Sequence, residues 1–118
     1  MKVAEYHRQG LRHWVNEVPE GFTPLGTEAR EGGHRVAFLA RVEGGRLSEV
    51  VATGSRRCRK LMALADLAAA RLRGQSASGF SLSAKDLLAH FAEERDRAKM
   101  QARVALVMQA LGLSAPQS

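Results

Sequence analysis

This chain has least of three things: cysteine, proline and aromatic side chains. A single cysteine, Cys58, stands among 118 residues. It cannot form an internal disulfide, which fits a reducing compartment. Aromatic residues make up 5% of the chain, so a surface that stacks successive single-stranded bases has few candidates. Trp14, Tyr6 and Phe22 are not interleaved with the basic cluster at residues 56–60. No run approaches the ~18 apolar residues of a membrane span, and Met1-Lys2-Val3 does not begin a signal peptide. The expectation is a cytoplasmic protein with no membrane association. No Gly-rich phosphate loop and no histidine/carboxylate metal spacing occurs, and no nucleophile comes with a recognisable base. The pattern points away from an enzyme, with no cofactor and no metal site expected.

What is present suits one ordinary globular domain spanning residues 1–118, with 45% hydrophobic and 25% charged residues. Lysine and arginine outnumber the acids by 18 to 12, a net charge of +6, which permits binding to nucleic acid or another acidic surface.

Residues 53–74 organise the chain. Cys58, Leu61, Met62, Ala65, Ala68, Ala69 and Leu72 recur at helical spacing, and Gly74 can supply a left-handed C-terminal cap. Arg56, Arg57, Arg59 and Lys60 crowd the start, where the helix dipole favours anions instead. A local rule broken in this way often marks a functional site. Upstream, Ala4 to Val15 predicts a short helix, weakened by Gly10, with His7 and His13 solvated. Pro19, Gly21, Pro24 and Gly26 predict a loop from Asn16 to Thr27, pinned to the core by Phe22 and Leu25.

His34 to Val42 alternates, with Val36, Phe38, Ala40 and Val42 on one face. Glu43-Gly44-Gly45-Arg46 is a hairpin turn, and Leu47 to Thr53 returns as a second strand in which Val50-Val51 marks a bulge or burial on both sides. A polar connector follows Gly74, and Ser83 with Asp86 three residues on opens a helix. The last helix is expected from about Glu93 to Leu111, with Met100, Val104, Val107, Met108 and Leu111 inward, Glu93 and Glu94 set to pair with Arg97, and a frayed tail over Ser114 to Ser118. The architecture expected is α+β: a small antiparallel sheet with helices packed on one face.

Two readings of Cys58 stand open. The cations and helix start favour a thiolate, the form that acts as nucleophile or metal ligand. Alternatively, Cys58 heads the apolar stripe as a small core residue. The cluster Arg56, Arg57, Arg59 and Lys60 is the candidate anion- or partner-binding site, with exposed backbone N–H groups at the helix start assisting.

The order of elements resembles the NifU-like (IscU-type) iron–sulfur cluster scaffold family, of SufE/NifU-like fold. Gly32-Gly33-His34-Arg35-Val36, through Glu43-Gly44-Gly45, to Gly54-Ser55-Arg56-Arg57-Cys58 looks like that family's Cys-Gly-Asp, hairpin and Gly-Cys segments. Leu82-Ser-Ala-Lys-Asp-Leu-Leu resembles the segment before its final His-Cys helix. The match runs from Gly32 to Leu111. Members use three cysteines with an aspartate and a histidine close by. Here only Cys58 falls at a ligand position, with Glu31 or a neighbour at the first cysteine, Gly33 at the aspartate, and Arg97 to Met100 at the His-Cys pair. Iron–sulfur sites generally need about four soft ligands. The related SufE-type sulfur acceptors use one cysteine, which lies in a loop of the sheet region, unlike Cys58.

The resemblance implies a non-catalytic, cluster-free binding or adaptor protein in iron–sulfur cluster assembly or sulfur transfer, with Cys58 as sulfur acceptor and a cysteine desulfurase or other assembly factor as partner. From the residues alone, the alternatives are a basic nucleic-acid or phosphate-binding module, with nucleic acid not favoured, or a structural subunit of a larger complex that uses exposed Ala-rich faces.

Overall fold

A computed structural model describes residues 1–113, so the tail from Ser114 lies outside the described residues. The elements run α1 (Val3–Arg8), β1 (Thr23–Glu31), β2 (His34–Glu43), β3 (Arg46–Gly54), α2 (Arg59–Leu72), α3 (Ala84–His90) and α4 (Arg97–Ala110). The three strands form one antiparallel sheet in the order β1-β2-β3. The fold is α+β, as the periodicities indicate.

The alternation of β2 decides which way the sheet faces. Val36, Phe38 and Ala40 are buried on one side and pair with Gly54, Ala52 and Val50 of β3. The long helices α2 and α4 pack on that side, α2 against β3 and α4 against β1 and β2. Gly44 and Gly45 both take positive φ, 58° and 76°, the requirement of the tightest hairpin turns. Val50 and Val51 are both buried although they point to opposite sides, and the bulge lies nearby, where the register shifts between Arg41 and Val42. Of the two meanings left open for the Val50-Val51 pair, burial on both sides applies to it.

The first strand is the main departure from the sequence reading. The loop expected over residues 16–27 gives way at Thr23 to β1, which carries Pro24 and Gly26. Proline is tolerated there because β1 is an edge strand and pairs only with β2. Gly26 has φ +79°, and a Cβ on it would lie 2.0 Å from the Ala110 carbonyl oxygen at the end of α4. The register between β1 and β2 shifts between Leu25 and Ala29, so the strand bends where the helix meets it.

The helix limits also move. The first helix ends at Arg8, not Val15; residues 13–15 instead run beside the outer edge of β3, with Val15 N–H donating to the Ala52 carbonyl and Ala52 N–H to that of His13, both at 2.9 Å. His7 and His13 are not free in solvent, because their ring nitrogens contact the Arg59 and Val50 carbonyls. Helix α4 begins at Arg97, not Glu93, after Asp96 adopts φ 59° and caps it through a hydrogen bond from Lys99 N–H at 3.2 Å. Arg97 does not pair with Glu93 or Glu94 through their side chains. Its guanidinium donates to the carbonyls of Phe91 and Leu88 at the end of α3. Ser83 caps α3, accepting from Asp86 N–H at 3.1 Å.

Helix α2 is buried nearly all round: Ala63, Ala65, Ala68 and Ala69 have no solvent exposure. The exposed Ala-rich face invoked for a structural subunit does not exist on this helix. No helix among the described residues is long and apolar enough to cross a membrane.

The contact between β1 and α4 leaves no room for a methyl group at residue 26. Gly26→Ala is expected to lower unfolding stability by roughly 1–3 kcal/mol through overpacking and left-handed strain, while Gly112→Ala, where a Cβ meets nothing within 4 Å, carries the backbone strain alone. Urea unfolding of the two variants checks this, the loss at Gly26 being the larger.

Candidate functional site

Cys58 ends the loop from β3 and forms the N-cap position of α2, in extended conformation, so it precedes the first turn of the helix. Its carbonyl accepts the Met62 N–H at 3.1 Å, but its side chain caps nothing. The thiol is 9% exposed and packs into the core cluster, while Arg103 on α4 donates its Nε–H to Sγ at 3.4 Å. The residue joins the apolar stripe, and the cation that donates to its sulfur is none of Arg56, Arg57, Arg59 and Lys60. That cation, Arg103, lies 45 residues away in sequence, and no local signal announced it.

The four cations expected to act together are divided between two cavities. Arg59 and Lys60 occupy the first turn of α2, and Arg56 and Arg57 precede it. A cleft of about 550 Å³ is lined by Lys2, Val3, Arg57, Cys58, Lys60 and Lys99 among others. A groove of about 530 Å³ lies on the other side of Arg57, between the β1–β2 turn and the β3–α2 loop. Arg57 alone lines both.

In the thiol cleft, Lys60 is already neutralised by an ion pair with Glu94, whose other oxygen accepts the Val3 N–H at 2.8 Å. This removes much of the conflict between Lys60 and the helix dipole. Burial pushes the Glu94 carboxyl up, but the Lys60 ammonium and the Val3 N–H outweigh it, and the net effect holds Glu94 below the usual carboxylate range. The same two contacts fasten the start of α1 and the first turn of α2 to the α3–α4 connection at one wall of the cleft.

The second loop is held by backbone geometry. A Cβ on Gly54 would lie 2.2 Å from the Arg35 carbonyl oxygen, so only glycine permits the close approach of β3 to β2 there. Ser55 Oγ then accepts the Arg35 N–H at 3.0 Å. Gly33 sits under the Arg57 guanidinium, 3.4 Å from the position a Cβ would take. His34, at the start of β2, has a buried Nδ1 with no hydrogen-bond partner. Burial first, then repulsion from Arg103, Lys99 and Arg57, lowers its pKa against the opposing pull of Glu31. Among the described residues, no three His, Cys, Asp or Glu side chains gather as a metal site would require.

Asp66, mid-helix on α2 and unremarkable in sequence, is 2% exposed. It accepts the Tyr6 hydroxyl at 2.6 Å and the backbone N–H groups of His13 and Trp14 at 2.6 and 2.9 Å. Burial, followed by the hydrogen bond to Asp66 and its charge, drives the Tyr6 hydroxyl well above its ordinary pKa. This ties the N-terminal segment to α2.

No family model matches the chain, and no curated protein matches it. A solved crystal structure of a hypothetical protein is similar across 93% of this chain and 94% of that one, at 14% identity and a TM-score of 0.57. At that identity the likeness establishes a shared α+β fold.

The Lys60–Glu94 pair gives a directional pH effect. Because the folded-state pKa of Glu94 is depressed, its stabilising contribution is present above the ordinary value of 4.5 and is lost as pH falls through the folded value. The stability difference between wild type and Glu94→Gln should therefore shrink steadily below about pH 4.5, as measured by denaturant unfolding across a pH series.

Proposed function

We propose that the protein is a non-catalytic binding or adaptor partner in iron–sulfur cluster assembly or sulfur transfer, with Cys58 as the sulfur acceptor. One observation carries this reading: the segments that resemble the scaffold family's ligand-bearing regions meet at one end of the molecule. The Gly32-Gly33 turn touches Arg57, Arg57 adjoins Cys58, and Cys58 shares its cleft with Lys99 and its sulfur with Arg103 of α4. Three stretches separated by more than 20 residues thus meet around Arg57 and Cys58, the first touching Arg57 and the last reaching the sulfur. Where the family would place its aspartate and its His-Cys pair, this chain has Gly33 and residues 97–100 with neither histidine nor cysteine, which favours a carrier or adaptor over a cluster scaffold.

The chemistry asked of Cys58 is a sulfane transfer. The Cys58 thiolate attacks the terminal sulfur of a partner's cysteine persulfide, a new S–S bond forms on Cys58, and the partner's cysteine leaves as its thiolate. Oxidation state is conserved overall, because the sulfane sulfur moves between two thiols. Arg103, donating to Sγ, holds the attacking atom in place. The cationic rim of Arg57, Arg59 and Lys99 suits an acidic docking surface on the partner.

The test is incubation with a cysteine desulfurase and cysteine, followed by mass spectrometry of the intact chain. A gain of one sulfur atom is expected on wild type and not on Cys58→Ser, with a slower gain on Arg103→Ala. A thiol that gains no sulfur, and that alkylates only after denaturant is added, removes Cys58 from the reaction and overturns the acceptor role.

A further inference from the structure

The thiol cleft is one of two cavities that meet at Arg57. The other is lined by Arg30, His34 and Arg35 from the first hairpin and by Gly54, Ser55, Arg56 and Arg57 from the loop entering α2. Four arginines line this space of about 530 Å³.

Their charge is poorly balanced. Among the described residues, Glu28 is the one carboxylate that forms an ion pair with the group, at 2.6 Å from Arg30 and 3.5 Å from Arg35, and these contacts, the Arg30 hydrogen bond first, hold its pKa low. A single negative charge thus serves two cations. Arg56 and Arg57 form no ion pair or side-chain hydrogen bond among the described residues. Arg57 is nevertheless held close over the Gly33 backbone. Positive charge is also concentrated behind the groove, since His34 in its wall is opposed by Lys99 and Arg103 of α4.

We propose that this groove binds a phosphoryl group, with Arg56 and Arg57 as its principal contacts. The valence of the site argues for this chemistry. A carboxylate offers two oxygens and one charge, which a single guanidinium fork satisfies. A tetrahedral dianion has the oxygens to engage two forks and the charge to offset both. The backbone around the groove is already fixed, by the Gly54 approach to Arg35 and the Ser55 hydrogen bond, so an arriving anion need not order the loop. The inference is independent of sulfur transfer. The groove shares only Arg57 with the thiol cleft, and phosphate binding can fail while Cys58 accepts sulfur, or the reverse.

His34 provides an internal reporter. The groups facing it are Arg57 from the β3–α2 loop, Lys99 and Arg103 from α4, and Glu31 at the end of β1. An anion in the groove offsets the first three, so occupancy should shift the imidazole titration to higher pH.

The experiment is a titration of ¹⁵N-labelled protein with inorganic phosphate at fixed ionic strength, following backbone amides and the His34 ring. The expected result is saturable shifts confined to residues 30–35 and 54–57, with an upward move in the His34 titration. Arg56→Ala/Arg57→Ala should weaken binding by roughly tenfold or more, the loss of two charge-assisted contacts. Arg12→Ala, which removes the same kind of charge far from the groove, should bind as wild type does.

Both variants are surface changes, and an unchanged amide spectrum elsewhere verifies their fold. A parallel arm uses a phosphodiester oligonucleotide: binding that competes with phosphate, far exceeds it and falls steeply with salt names a nucleic-acid backbone as the source of the group. Shifts spread over all basic surfaces, equal loss in Arg12→Ala, or binding of poly-glutamate that phosphate cannot displace would overturn the proposal.

Discussion

The structure depends on a buried carboxyl group. Asp66 lies on the helix that is covered on nearly every side, where an unsatisfied acid would cost several kcal/mol. It is accommodated because the N-terminal segment brings three donors to it: the Tyr6 hydroxyl and the backbone N–H groups of His13 and Trp14. The dependence runs both ways. Without Asp66, two backbone donors in a half-buried loop lose their acceptor; without the loop, the acid is stranded. The tie also sets residues 13–15 along the outer edge of β3 and fixes α1, whose start forms a wall of the thiol cleft. The fold's most remote packing decision and its candidate site are linked through this one side chain.

A second constraint acts at the opposite edge of the sheet. Helix α4 must reach across β1 and β2 to bring Arg103 to Cys58 and Lys99 to the cleft. Gly26 permits that approach by leaving its Cβ position to the Ala110 carbonyl. The end of α4 is thus set by a glycine on an edge strand, while its start is set by Asp96, held in a left-handed conformation that non-glycine residues seldom adopt. The site lies between these two features. Its cationic character follows from a dense basic run at residues 56–60 to which the first hairpin adds Arg30 and Arg35 and α4 adds Lys99 and Arg103.

These relations explain what could be read in the sequence. The β2–β3 hairpin, α2 and α3 announced themselves because each obeys a local rule: period-two alternation, an apolar helical stripe, a serine cap. β1 stayed hidden because Pro24 and Gly26 are local signals for a loop, and both are present for tertiary reasons, an edge position and a helix contact. The early end of α1 and the late start of α4 have local causes instead: Gly10 takes a positive φ just beyond α1, and Asp96 caps α4 through the Lys99 N–H. Asp66 read as an ordinary mid-helix acid, since its partners are 52 to 60 residues distant. The basic run around Cys58 was visible, but its division was not. Adjacent residues leave a turn in different directions, so Arg56 and Arg57 share the groove with Arg30 and Arg35, while Lys60 turns to Glu94.

The claim that Asp66 ties the N-terminal segment to α2 is tested most directly by hydrogen exchange at the amides of His13 and Trp14. In wild type both should exchange slowly, comparably to the Ala52 amide that bonds the same segment, and Asp66→Ala should accelerate them far more than the amides of β2. Rapid exchange at His13 and Trp14 in the wild-type protein, unchanged by Asp66→Ala, would contradict the account.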